Sequence, residues 1–212
     1  MSIKDSISRK IENAISTSLE NVIDSRGDHY SNHPDKRPTQ DNVSSLISSS
    51  ANTNAVITGG SSLIPGPWGM AAVLPELTVV IHNQIKLIYD IGVAHGKEKI
   101  ITKELVLGIF ISALGTSAGS VLTIQGGRVL VKRASLRAIQ KMIAMLGGRI
   151  TQQAIKSAVS KWLPLVGAAA MATWTRYTTK KIGERAQQIF RLDIQDDPST
   201  GDIELASHQQ NT

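Results

Sequence analysis

Residues 105–124 read LVLGIFISALGTSAGSVLTI, a run of twenty positions without one charged side chain. Ten are Leu, Val, Ile or Phe; the other ten are Gly, Ala, Ser or Thr. At about −0.3 to −0.6 kcal/mol each, the large apolar residues favour bilayer insertion by roughly 3–6 kcal/mol, and the small ones offset much of that gain. Twenty helical residues reach about 30 Å, the thickness of a hydrocarbon core. The run is therefore either a marginal membrane span or the buried centre of a helical bundle. Its small residues are spaced by turns of helix: Gly108, Ser112, Gly115 and Gly119. Gly115-Thr-Ser-Ala-Gly119 is a GxxxG, a spacing that lets two helix backbones approach closely, within one chain or between two copies.

Working outward, the N-terminal side repeats the theme. No charge occurs from Asn42 through Pro75, but Gly59-Gly60 and Pro65-Gly66-Pro67 interrupt that run. The expected pattern is a helix over Val43–Ile57, a tight loop over Thr58–Trp68 and a long helix over Gly69–Ala94, bent near Pro75. On the C-terminal side, Arg128–Leu146 reads as an amphipathic helix, with Leu136, Ile139, Ile143 and Leu146 opposite Arg133, Arg137 and Lys141. Gly126-Gly127 and Gly147-Gly148 are natural breaks at its ends. Further helices are expected over Arg149–Lys161 and Val166–Leu192. At the N-terminus, Ile3, Ile7, Ile11, Ile15, Leu19 and Val22 place one apolar stripe on a helix from Ser2 to Asp24. Polar residues interrupt this segment too often for the apolar core of a secretory signal peptide.

These readings give an all-α fold: a Gly/Ala-rich helical bundle. An amphipathic N-terminal helix occupies 1–25, a polar linker 26–42, the helical domain 43–192, and a disordered acidic tail 193–212. The linker holds His33-Pro34-Asp35, a tripeptide used by J-domains, but lacks the long basic helix such domains place before it.

Charge is distributed unevenly. The net +6 of the chain averages a near-neutral first half with residues 101–192, which carry 14 basic and 2 acidic groups. Residues 193–212 carry 5 acidic groups and no basic one. A basic body points to an anionic partner. Beside uncharged helices, the partner that fits is an anionic membrane surface, met by Arg133, Arg137, Lys141, Lys156, Lys161, Arg176 and Lys180. There, each Lys or Arg contributes about 1 kcal/mol. Trp162, Trp174 and Tyr177 lie close to these charges and suit headgroup level or a core. Nucleic acid is not the expected partner, since no helix-turn-helix cue, stacking platform or zinc finger appears.

Catalytic patterns are sparse. With no Cys, thiol catalysis, iron–sulfur clusters and Cys-ligated zinc are excluded. No HExxH, paired-carboxylate, GxSxG or phosphate-loop pattern occurs. Glu76, His82 and His95 are the residues an enzyme would have to use, and no cofactor or metal is expected.

Several motifs together resemble the EcsC family. They are Ile57-Thr58-Gly59-Gly60, Pro65-Gly66-Pro67-Trp68-Gly69, Leu74-Pro75-Glu76-Leu77, Gln84, His95-Gly96, and Lys161-Trp162-Leu163-Pro164-Leu165-Val166-Gly167. The resemblance spans Val43–Leu192. It departs at Glu76, where the family has Asp, and at His95, where it has Tyr. It implies a bacterial, Gly-rich, all-helical protein associated with a membrane and linked to an ABC transporter. The expected setting is the cytoplasmic side of the inner membrane, peripherally or partly embedded, with a non-enzymatic accessory or regulatory role. Two alternatives stand beside it: a membrane-inserting, pore-forming protein using Leu105–Ile124, and a hydrolase-like enzyme with its site near the Gly/Pro loop.

Overall fold

A computed structural model describes residues 3–60, 67–115, 121–159 and 164–197. Within them the chain is mainly helical: α1 (Ile3–Asn32), α2 (Val43–Gly60), α3 (Pro67–Ala94), α4 (Lys103–Ala113), α5 (Leu136–Val159) and α6 (Pro164–Phe190). A small sheet joins β1 (Leu122–Gln125), β2 (Arg128–Lys132) and β3 (Asp193–Asp197). The expected helical bundle is present. The helix α3 lies at its centre, against α1 on one side and α2 and α6 on the other.

The N-terminal helix buries the stripe its periodicity predicts: Ile7, Ile11, Ile15, Leu19 and Val22 are buried, on α3 and α5. This apolar face is therefore consumed by its own domain. The expected end at Asp24 is too early, because Arg26 and Tyr30, one turn apart, both reach Asp90 of α3. Arg26 Nη2 and Nε donate to Asp90 Oδ1 at 2.8 and 3.1 Å, and the Tyr30 hydroxyl donates to the same oxygen at 2.7 Å. The expected linker 26–42 is thus helix to Asn32, followed by two short 3₁₀ turns at Pro34–Lys36 and Gln40–Asn42. Arg37 of that segment is ion-paired with Glu98.

The decisive run at 105–124 is not one helix. Thr102 caps α4, its hydroxyl accepting from Leu105 N at 3.3 Å, and the helix ends after 11 residues at Ala113. At 1.5 Å per residue that is about 16 Å, half a bilayer core. Leu105 through Ile111 are all buried, so protein encloses this helix on every side. Gly115 follows with φ +71°, the left-handed conformation that stops a helix. The chain then returns as strand β1. Among the described residues no helix is long and apolar enough to cross a membrane.

The GxxxG helix pair is likewise corrected. Gly119 lies outside the described residues, and Gly115 terminates a helix rather than lining one. Gly108 does make a close approach, but to a strand: a Cβ there would sit 2.4 Å from Leu122 Cγ of β1.

Arg128–Leu146 does not form one helix. Arg128–Lys132 is strand β2, paired antiparallel with β1 from Leu122↔Val131 to Gln125↔Arg128. Gly126 and Gly127, with φ of +59° and +78°, form the two-residue turn, the geometry that type I′ hairpins require. The sheet's third strand, Asp193–Asp197, belongs to the tail expected to be disordered. It runs parallel to β2 and sets Asp193 opposite Arg128 and Asp197 opposite Lys132, a register that pairs opposite charges. Residues 198–212 lie outside the described residues.

Finally, α5 runs straight through Gly147-Gly148 and merges two expected helices into one. A Cβ on Gly147 would lie 2.6 Å from Glu12 Cγ of α1. That glycine is a point of close approach between α1 and α5, not a helix break.

Candidate functional site

The residues that carried the motif resemblance occupy structural positions in the bundle. Gln84 of α3 is buried and donates to Thr179 Oγ1 of α6 at 2.9 Å. Asn54 of α2 donates to the same hydroxyl at 3.2 Å and accepts from Asn83 Nδ2 at 2.8 Å. Three helices are thereby cross-linked by one satisfied polar network, as a buried amide must be. Gly59 packs 3.6 Å from Ala172 Cβ, measured from its own would-be Cβ. Gly96, with φ +68°, ends α3, and Pro75 sits within α3. Pro67 and Pro164 begin α3 and α6, the helix position proline suits. Gly60 and Gly167 are helical, while Pro65 lies outside the described residues.

The three candidate catalytic residues are not brought together. Glu76 and His82 lie on α3, and His95 is the first residue past its end. The rise per residue puts Glu76 about 9 Å from His82 and roughly 28 Å from His95 along its axis. His82 lines a groove of about 640 Å³ between α1 and α3, shared with Lys10 and Asn21 but not with Glu76. Burial, then Lys86 and Arg26, hold the His82 pKa below the ordinary imidazole value. The His95 pKa is lowered by burial and by Arg191 and Lys97. Its Nε2 is buried and makes no hydrogen bond among the described residues. Among the described residues no group of three or more His, Cys, Asp or Glu could hold a metal ion.

The basic residues fare differently. Arg133 in the loop before α5, Arg137, Lys141 and Lys156 of α5, and Arg176 and Lys180 of α6 are all exposed. Lys161 lies outside the described residues. Between Arg128 and Leu192 the sequence holds a single acid, Glu184, 3.8 Å from Lys180. On α6 the positions Arg176, Tyr177, Lys180, Lys181 and Glu184 form one exposed stripe at helical spacing.

Beside that stripe lies a feature the sequence reading did not assemble. The end of α4, the middle of α5 and the α6 segment Trp174–Lys181 enclose an open groove of about 670 Å³. Its apolar lining includes Leu114, Met145, Ile150 and Trp174. Arg149, Lys156 and Lys181, all exposed, also line it, and among the described residues no acidic side chain does. The Lys181 ammonium stands 5.0 Å from the Tyr177 ring centroid. Its pKa is held above the ordinary lysine value, chiefly by its hydrogen bond to Tyr177. Arg185 ties this part of α6 to α4, donating from Nε to Ser112 Oγ at 3.1 Å. The available signal was the polar series Arg149, Gln152, Gln153 and Lys156 on α5, which defines one helix face; its apposition to Trp174 is a tertiary fact.

Such a site can bind an anion beside an apolar group. It does not pair a nucleophile with a base. A scan against protein-family models, a search of curated proteins and a search of solved structures each return no match to this chain.

Proposed function

We propose that this chain is a non-enzymatic, EcsC-type helical protein that attaches peripherally to anionic membrane surfaces, as an accessory or regulator of an envelope or transport process. The observation that carries the reading is the exposed basic surface of α5 and α6, seven exposed cations among the described residues (Arg137, Lys141, Arg149, Lys156, Arg176, Lys180 and Lys181) against Glu184 alone in the two helices. Attachment is by this surface rather than by insertion, since α1 spends its apolar face on α3 and α5 and α4 is enclosed. With three cations engaged at about 1 kcal/mol each, an anionic bilayer is preferred over a neutral one by on the order of a hundredfold. The bacterial setting, the inner-membrane location and an ABC-transporter partner rest on the motif resemblance alone.

Co-sedimentation with vesicles tests the proposal. Binding to phosphatidylglycerol-containing vesicles at low salt is expected, with release at high salt and little binding to phosphatidylcholine. Neutralising Arg137, Lys141, Arg176 and Lys180 together should abolish it. A protein that ignores anionic vesicles at low salt would refute the reading. One that resists both salt and alkaline washes would show insertion instead.

A further inference from the structure

We infer that the groove between α4, α5 and α6 is a binding site for a long-chain fatty acid. The apolar lining of Leu114, Met145, Ile150 and Trp174 accepts the chain, and Arg149, Lys156 and Lys181 meet the carboxylate.

Four observations converge on that ligand. The volume of about 670 Å³ falls inside the range of small-molecule sites, roughly 300–1,000 Å³. Among the described residues the lining joins apolar side chains to three cations and no acid, so an anionic polar end is favoured over a cationic one. An Arg guanidinium matches the two oxygens of a carboxylate in a bidentate fork. The wall at Gly148 also has room: a Cβ built there meets no atom of the described residues within 4 Å. The inference goes beyond attachment to a bilayer, because the ligand is a single monomeric amphiphile rather than a surface.

Trp174 is a built-in reporter. The chain has three Trp, so a W68F/W162F protein leaves Trp174 as the one indole. Titration with 9,10-dibromostearate below its micellar concentration is expected to quench Trp174 fluorescence, because bromine quenches on contact. Unbrominated stearate should compete. The uncharged methyl ester and the R149Q/K181Q variant should each bind at least about tenfold more weakly, a difference of roughly 1.4 kcal/mol. Gly148→Leu, which fills the groove, should abolish quenching with a thermal melt no lower than that of the parent protein, while R137Q/K141Q outside the groove leaves it intact.

Absence of quenching overturns the inference. So does equal quenching by the methyl ester, or quenching that survives in a folded Gly148→Leu protein. The two proposals fail separately. Vesicle binding without quenching refutes the groove site alone, and quenching without vesicle binding refutes the membrane reading alone.

Discussion

Gly147 and Gly148 are neighbours in the middle of α5, yet replacing each by Ala should move stability in opposite directions. In a helix interior, Ala is favoured over Gly by about 1 kcal/mol. At Gly148 an added Cβ meets nothing within 4 Å, so Gly148→Ala should keep that whole gain. For a domain of this size it raises Tm by about 2–4 °C. At Gly147 the same methyl group lies 2.6 Å from Glu12 Cγ, about 1 Å inside ordinary contact. Glu12 is half-buried, and its Oε1 accepts from Ser8 Oγ at 2.9 Å, which holds the side chain in place. Forcing α1 and α5 apart costs about 1–3 kcal/mol, as overpacking does elsewhere. Net of the helix-propensity gain, Gly147→Ala should destabilise by up to about 2 kcal/mol. Thermal melts of the two variants are the assay, with a double-mutant cycle against Glu12→Ala. Removing the Glu12 stem should relieve the clash and give a coupling of about 1–2 kcal/mol. If Gly147→Ala stabilises as much as Gly148→Ala, or the coupling falls below about 0.3 kcal/mol, the close α1–α5 crossing is wrong.

Three further outcomes are expected. Asp90→Ala leaves Arg26 and the buried Tyr30 hydroxyl without their shared acceptor; with the Arg26 side chain only 16% exposed, the loss should be about 2–4 kcal/mol in denaturant titration. His82 and His95 have folded-state pKa values below the unfolded value. Between those values the unfolded chain binds more protons, so stability is complete above about pH 6.5 and is lost as pH falls through the folded values. Melts across that window check the sign, and His95→Gln should flatten the slope. Gly127→Ala forces a residue with a Cβ into φ +78° and should cost about 1–2 kcal/mol, read by melting and by faster amide exchange in Leu122–Lys132.

The helical character of the chain and the face of α1 were legible because both are local. Apolar residues every third or fourth position, from Ile7 to Val22, specify which side of a helix is buried whatever it meets. The β-hairpin was legible too and was misassigned. Val121, Thr123 and Ile124 precede Gly126-Gly127, and Val129 and Val131 follow it, a pattern of β-branched residues about a two-glycine turn. The glycine pair at 147–148 looks the same in sequence and sits inside a helix, because what decides it is Glu12, 135 residues away in the chain. The Arg26–Tyr30–Asp90 cluster was hidden for the same reason: Asp90 lies 64 and 60 residues along the chain from its two partners.

The sequence by itself determined that the chain is helical, that its basic charge concentrates in residues 101–192, and that the apolar run Leu105–Ile111 must be covered. It did not determine what would cover that run. Lipid tails and packed Leu, Ile and Val side chains are equally apolar, so hydropathy cannot distinguish a bilayer from a bundle interior. Tertiary structure decided the matter by stopping α4 at Ala113, turning the chain at Gly115 and enclosing the helix in protein. The same packing opened the groove, where Trp174 from one helix and Arg149 from another share a wall. No local pattern announces that meeting, because it depends on which two faces come into contact.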